Sequence, residues 1–202
     1  MRRLYAATKN PGKLCEMAEI AAAYDVEAAA WPGYREPDET ADSYAGNAAL
    51  KARALRAQLL EAGFEAAAVL ADDSGLEIAA LGGRPGVHSA RYAGSEATWP
   101  QRRSAILREV AASGSSDRRA RFVCVLCYIG DRGAEIFAEG SAEGELTRAP
   151  SGELGFGYDP IFYEPSEHAT FAELSARRKN ALSHRAKALK ALFATLQYDE
   201  RR

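Results

Sequence analysis

The chain has 202 residues, of which 47% are hydrophobic and 27% charged, with a formal net charge of −2. That composition excludes wholesale disorder, and a chain of this length buries roughly 70% of its unfolded surface without needing disulfide or metal staples. Acidic and basic residues nearly balance, so no nucleic-acid polymer is expected as a partner, although a local cationic pocket stays open.

Residues 4–7 read as a short apolar strand, too short for the apolar region of a signal peptide. No apolar run approaches the roughly 18 residues of a membrane helix, so a soluble, cytoplasmic protein with no membrane partner is expected. Asn10 stands where a helix cap belongs and Pro11 at the first helical position, ahead of apolar helical spacing over residues 14–21. Residues 26–31 form a weaker strand, and 32–38 a loop rich in proline and glycine. An alanine- and leucine-rich helix covers 41–62 and is closed by Gly63. Residues 67–71 are a buried strand that runs out into Asp72-Asp73-Ser74-Gly75. Irregular backbone carrying His88, Arg91 and Tyr92 is expected over 82–94, then a helix over 98–112.

Residues 120–129 and 134–143 form two strands joined by Gly130-Asp131-Arg132-Gly133, an antiparallel hairpin. A glycine-rich loop fills 150–160. The last helix spans 181–197, with Leu182, Leu189, Leu192, Phe193 and Leu196 as its apolar face, and 198–202 form a frayed tail. Strands alternating with helices, plus one hairpin, predict an α/β fold on a mixed sheet. No repeat or shift of composition marks an independent second domain. Three cysteines make no disulfide framework. Cys124 and Cys127 have CxxC spacing, but on a strand positions three apart face opposite ways, so both are expected to pack.

Four clusters concentrate chemistry. Thr8, Lys9, Asn10, Pro11, Gly12 and Lys13 lie at a strand–helix junction, where a helix N-terminus and a lysine suit phosphate, or simply form a capped helix with a solvated lysine. This is not a P-loop, because Leu14 follows the lysine. Asp72 and Asp73 fall where a buried strand exits. Adjacent carboxylates there call for a cation, which Mg²⁺ would satisfy together with phosphate, and the alternative is an ordinary Asp-Asp-Ser-Gly turn. In Gly155-Phe156-Gly157-Tyr158-Asp159, glycines flank a ring that can stack on a flat ligand or pack in a hairpin. Lys179, His184 and Arg185 place three basic residues at the start of a helix, an arrangement the helix dipole disfavours unless an anion binds. Together these are the parts of a nucleoside triphosphate site.

The sequence resembles the Ham1-like inosine/xanthosine triphosphate pyrophosphatases. The resemblance rests on four ordered blocks: Thr8-x-Asn10-x-x-Lys13; Ala71-Asp72-Asp73-Ser74-Gly75-Leu76 with Gly82-x-x-Pro85-Gly86-x-x-Ser89-Ala90-Arg91-Tyr92-Ala93-Gly94; Gly155-Phe156-Gly157-Tyr158-Asp159-Pro160-x-Phe162; and Ala172-Glu173-Leu174 with Lys179-Asn180-x-x-Ser183-His184-Arg185. It implies a mixed, elongated twisted sheet flanked by helices, in one domain of two lobes with the active-site cleft between them. It also implies that residues 8–13 contact phosphates, and that Asp73 binds Mg²⁺ and serves or positions the base. Ser74 would touch substrate; Phe156, Gly157, Tyr158 and Asp159 would form the base and sugar pocket, closed by Lys179, His184 and Arg185. A second acidic metal ligand is implied in the loop before the long helix, where Asp38 is the first choice and Glu39 the next. A homodimer is implied as well.

Three departures stand out. Gly46 replaces an acidic residue at the long helix, Trp99 stands where an aspartate is common, and Arg177-Arg178 precede Lys179 where acidic residues are frequent. The reaction implied is Mg²⁺-dependent hydrolysis of ITP, dITP or XTP between the α and β phosphates. Helix-end amides and Lys13 would stabilise the leaving pyrophosphate, and Arg185 would donate to the purine 6-carbonyl. The alternatives are a nucleotide-binding module without turnover, or a pyrophosphatase for other modified nucleotides.

Overall fold

Asn10 caps the first helix as its sequence position predicts, accepting from the N–H groups of Gly12 and Lys13, and Pro11 opens it. In the computed structural model, which describes residues 2–199, the elements follow in this order. They are β1 (Arg2–Ala6), α1 (Pro11–Ala22), β2 (Val26–Ala30), α2 (Tyr44–Glu61), β3 (Ala68–Ile78), α3 (Trp99–Ala112) and β4 (Arg119–Ile129). Then come β5 (Glu135–Leu146), β6 (Phe162–Glu164), β7 (Ala169–Thr170), α4 (Ala176–Leu182) and α5 (His184–Asp199). One seven-stranded sheet has the order β2-β1-β3-β4-β5-β6-β7. Its β2-β1-β3 side is parallel, and β5-β6-β7 is antiparallel, so the predicted mixed α/β sheet is present.

The chain divides into two compact units: Met1–Asp73 with Cys124–Gly140 and His184–Arg202, and Ser74–Val123 with Ser141–Ser183. In the first unit, strand alternation sorts side chains onto two faces. Leu70, Cys124 and Leu126 pack with Met17 and Ile20 of α1 and with Leu189 and Leu192 of α5. Val69, Ala71, Cys127 and Ile129 pack instead with Ala48, Ala52, Leu55 and Leu59 of α2. Each leucine wholly withdrawn from water contributes roughly 1.5–3 kcal/mol. The two cysteines of the CxxC spacing thus lie on opposite faces, as a strand requires, and both are buried free thiols. Gly140 lets β5 lie flush on α5: a Cβ there would fall 2.3 Å from the His184 carbonyl oxygen and 2.4 Å from the Ala188 nitrogen. The second unit is centred on Leu76, Ile78, Ile106, Phe122, Phe162 and Phe171, the last three forming a ring cluster with Phe162 4.6 Å from Phe122 and 4.8 Å from Phe171.

Several expectations are corrected. The strand predicted to end at residue 71 continues to Ile78, so Asp72-Asp73-Ser74-Gly75 is neither a turn nor a strand exit. Turn-forming propensity is outweighed here by burial, since Asp72, Asp73 and Gly75 are all withdrawn from solvent. The single last helix is two helices, broken at Ser183, whose backbone is extended. Lys179 therefore lies in the last turn of α4, where the dipole favours a cation, and not at a helix start. The short strands β6 and β7 have too few residues to show a period and were not predicted. Of the predicted frayed tail, residues 198 and 199 belong to α5, and 200–202 lie outside the described residues. Among the described residues no helix is long and apolar enough to cross a membrane.

Candidate functional site

The two aspartates of β3 are neighbours in sequence but not in space. The pleat turns them to opposite faces, and each meets its own cations. Asp73 shares the face of Val69 and Ala71 and looks toward α2. There Lys51 Nζ lies 3.0 Å from its Oδ1, and Asn47 Nδ2 donates to its Oδ2 at 3.2 Å. Asn47 and Lys51 are one helical turn apart, which brings both to the same carboxylate. Lys51 Nζ also donates to Glu39 Oε1 at 2.8 Å. One ammonium thus joins two carboxylates, with Lys51 and Asp73 both buried. Burial lowers the Lys51 pKa, but Asp73, Asp72 and Glu39 together outweigh it and leave the ammonium raised and charged. Burial raises the Asp73 carboxyl above its ordinary value, with Lys51 opposing.

Asp72 points the other way, into a second cluster. Arg185 forks onto its Oδ2, with Nε at 3.2 Å and Nη2 at 2.9 Å, while Lys13 Nζ reaches Oδ1 at 3.1 Å. Arg185 Nη1 pairs in addition with Glu16. Burial would lower the guanidinium's pKa, but Asp72 and Glu16 reverse that and raise it. Arg185 is 1% exposed. Three of its nitrogens meet carboxylates, so Arg185 clasps α5 to both β3 and α1.

The predicted phosphate segment is also more occupied than expected. Asn10 Oδ1 takes the N–H groups of Gly12 at 2.9 Å and Lys13 at 3.2 Å, the Leu14 N–H goes to the Asn10 carbonyl, and Thr8 Oγ1 accepts from the Asn10 N–H. The helix-end amides meant for pyrophosphate are therefore taken up by the cap. Pro11 and Lys9 are exposed, and the ammonium groups of Lys9 and Lys13 are what this segment can bring to an anion.

In the second unit the glycine-rich loop is built around Asp159. Gly155 and Gly157 have φ of +71° and +63°, which favours glycine, and a Cβ on Gly155 would fall 2.2 Å from Asp159 Oδ2. That oxygen accepts the Phe156 N–H at 2.8 Å and pairs with Lys179. Lys179 Nζ lies 4.5 Å from the centroid of the half-buried Phe156 ring, a cation–π contact. Tyr158 is buried, donates to the Ser89 carbonyl at 2.8 Å and meets Trp99 edge-on at 5.3 Å. Burial pushes its phenol pKa up. It is a wall of the loop, and Phe156 is the less buried of the two rings.

Within the first unit, then, Asp73 gathers with Glu39, Asn47 and Lys51, and Lys13 with Asp72, Arg185 and Glu16. Within the second, Phe156, Asp159 and Lys179 come together. Ser74 is half-buried in β3, and His184 is buried as the first residue of α5. Asp38 is exposed, and no hydrogen bond or ion pair joins it to Asp73 among the described residues, whereas Glu39 reaches the same ammonium as Asp73. Of the two acidic candidates in this loop, Glu39 is the one that shares an ammonium with Asp73. Sequence reading missed Glu16, Asn47 and Lys51, although each is a polar residue on an otherwise apolar buried helix face, the signal that could have flagged them. The Gly46 departure has a steric reason: a Cβ there would fall 2.6 Å from the Ala41 Cβ. No group of three or more His, Cys, Asp or Glu side chains is assembled to hold a metal among the described residues. The pair Glu39 and Asp73 nonetheless fits a hard ion that takes one or two carboxylates and completes its shell with water and phosphate oxygens.

Comparison with known proteins bears on these geometries as a whole. The pattern of the Ham1 family matches residues 4–195. A dITP/XTP pyrophosphatase of Shouchella clausii is 45% identical, covering 98% of both chains, and one of Pectobacterium atrosepticum is 44% identical, covering 98% of this chain and 99% of the other. A HAM1 protein of Coxiella burnetii superposes with a TM-score of 0.84 at 40% identity, over 98% of this chain and all of the other. The Staphylococcus aureus Ham1 protein gives 0.81 at 35% identity, again over 98% of this chain and all of the other. With matches this extensive in both sequence and fold, the chain belongs to the Ham1 family.

Proposed function

We propose that this chain hydrolyses deaminated purine nucleoside triphosphates (dITP, ITP and XTP) to the nucleoside monophosphate and pyrophosphate, removing them from the cytoplasmic nucleotide pool. The observation that carries the reading is the Glu39–Lys51–Asp73 arrangement, a buried carboxylate beside a second one that an ammonium holds in place. The relatives named dITP/XTP pyrophosphatase support the choice of substrate. We take residues 1–202 as one catalytic domain working as a homodimer, for which sedimentation at twice the 21.8 kDa chain mass is the check.

Asp73 is the candidate base. Its burial raises the carboxyl toward the pKa range in which proton abstraction is effective, and Asn47 fixes its orientation. A bound Mg²⁺ would rest on Asp73 and Glu39 and supply charge neutralisation to the triphosphate. Lys13, a salt-bridge partner of Asp72, brings its charge to the phosphates. Phe156 offers the purine a stacking surface worth about 1–3 kcal/mol. Lys179, against that ring, can donate to a carbonyl at the purine 6-position. Adenine presents an amino donor there, and a mismatched donor pair costs about 1–3 kcal/mol.

Pyrophosphate release measured with Mg²⁺ across ITP, dITP, XTP, GTP and ATP tests the proposal. The deaminated nucleotides should be turned over fastest, and ATP turnover at an equal or higher rate overturns the selectivity. Asp73→Asn should lower turnover by about 10²–10⁴ in protein that is still folded at the assay temperature, Lys51 keeping Glu39 as its partner. Near-normal turnover removes Asp73 from the chemistry.

A further inference from the structure

Many arginines of this chain meet a carboxylate: Arg3, Arg53, Arg84, Arg119, Arg121, Arg178 and Arg185 all do. Arg103, Arg108 and Arg148 have no such partner among the described residues, yet they line a single groove of about 340 Å³ in the second unit. One wall of the groove is a stripe of α3. Pro100, Arg103, Ser104, Leu107, Arg108 and Ala111 recur at the spacing that puts residues on one helical face. The opposite wall is Arg148 and Pro150. Arg118 anchors the backbone just before that wall, donating from Nε to the Leu146 carbonyl at 2.7 Å and from Nη2 to the Thr147 carbonyl.

Concentrating like charge on one concavity without a counter-ion is unfavourable, and a groove with low-dielectric walls focuses the resulting positive potential. Burial holds the Arg103 pKa below its ordinary value against the pull of Asp159, and at Arg118 burial and then the nearby Arg148 outweigh Glu145. Guanidinium groups suit phosphoryl oxygens, because two parallel N–H groups match two oxygens of one anion. The apolar Pro100, Leu107, Ala111 and Pro150 leave room for an organic body attached to that anion, and the volume is at the low end for small-molecule sites.

We propose that the groove between α3 and the Arg148–Pro150 segment is a second anion site, one that takes the phosphoryl group of a small phosphorylated molecule. It shares no residue with the acidic centre on β3 and does not depend on turnover. It does touch the nucleotide loop, since Arg103 also donates from Nη1 to the Gly157 carbonyl at 2.7 Å. An anion in the groove draws on the same guanidinium that braces the loop carrying Phe156.

Side-chain Nε–Hε resonances of Arg108 and Arg148, assigned with Arg108→Lys and Arg148→Lys, provide a local readout on the full-length protein. Orthophosphate, pyrophosphate and inosine monophosphate are titrated separately without divalent metal. Saturable shifts of both resonances are expected, with affinity at least tenfold weaker in Arg108→Gln/Arg148→Gln as measured by calorimetry. Saturation by inosine monophosphate at lower concentration than orthophosphate supports a phosphate ester as occupant, and equal concentrations support a free phosphoryl anion. Resonances that stay unmoved, or that sodium chloride of equal ionic strength moves as far, overturn the proposal. Because the wild-type titration stands alone, a double variant that failed to fold would not remove the test.

Discussion

Replacing Arg185 with leucine takes a wholly buried cation out of a polar cluster while keeping an apolar side chain in its place. The parent arrangement sets two carboxylates, Asp72 and Glu16, against two cations, Arg185 and Lys13. Arg185→Leu leaves both carboxylates with Lys13 alone, whose side chain is 18% exposed and reaches Asp72 but not Glu16 in any ion pair among the described residues. Removing one partner of a buried ion pair costs about 3–5 kcal/mol, because the remaining charge is left uncompensated in a poor solvent. In a chain of about 200 residues each kcal/mol moves the melting temperature by roughly 2–4 °C, so a fall of about 6–20 °C is expected. Circular dichroism at neutral pH measures it. Adding Glu16→Gln to Arg185→Leu should recover part of the loss, since one orphaned charge is then gone. If Arg185 instead reads the purine, the variant will melt within about 2 °C of the parent, and its KM for ITP at 20 °C will rise sharply. That pair of results would refute the clasp.

Glu39→Gln should raise the Mg²⁺ concentration giving half-maximal pyrophosphate release by roughly 10–100-fold, with Asp38→Asn changing it less than about twofold. Equal effects would place the second ligand elsewhere. Gly140→Ala forces a Cβ to within 2.3 Å of the His184 carbonyl oxygen and should destabilise by about 1–3 kcal/mol in thermal melts, and wild-type stability would contradict the close approach of β5 to α5. Of the three thiols, only Cys15 is exposed, Cys124 is wholly buried, and burial pushes Cys127 up to about 12. A chromogenic disulfide at pH 8 should titrate one fast thiol in the native protein and three after unfolding. Two fast thiols in the native state would show that β4 is not packed as described.

Local signals were legible wherever neighbouring residues alone decide the structure. The Asn10 cap and the Gly63 stop both form where the sequence places them. The opposed cysteines of β4 follow from the period of a strand. What could not be read was any feature decided by partners distant in the chain. Four turn-forming residues after Ala71 argue for a turn, yet they remain in β3 because Lys51, 22 residues earlier, and Arg185, 113 residues later, neutralise the two aspartates there. Glu39 shares an ammonium with Asp73 only because Lys51 lies about two turns into α2, a relation no local pattern contains. Ser183 breaks what reads as one amphipathic helix, and that break turns Lys179 from a misplaced cation into a favourable one.

The placement of Asp72 and Asp73 explains how one dipeptide can serve two purposes. In a turn, both carboxylates would face the same solvent and repel each other. On a strand, a single step along the backbone carries the side chain through the sheet, so each acid acquires its own environment. Asp72 is enclosed by a guanidinium fork and a lysine, interactions that tie α1 and α5 to β3. Asp73 is held by one ammonium and one amide on α2, and its carboxyl is raised by burial. A shift of register by one residue would exchange the two faces and bring the chemically poised acid to the clasp. The clasp therefore matters to function even though it touches no substrate in this reading, because anchoring Asp72 on one face fixes which acid the strand presents on the other.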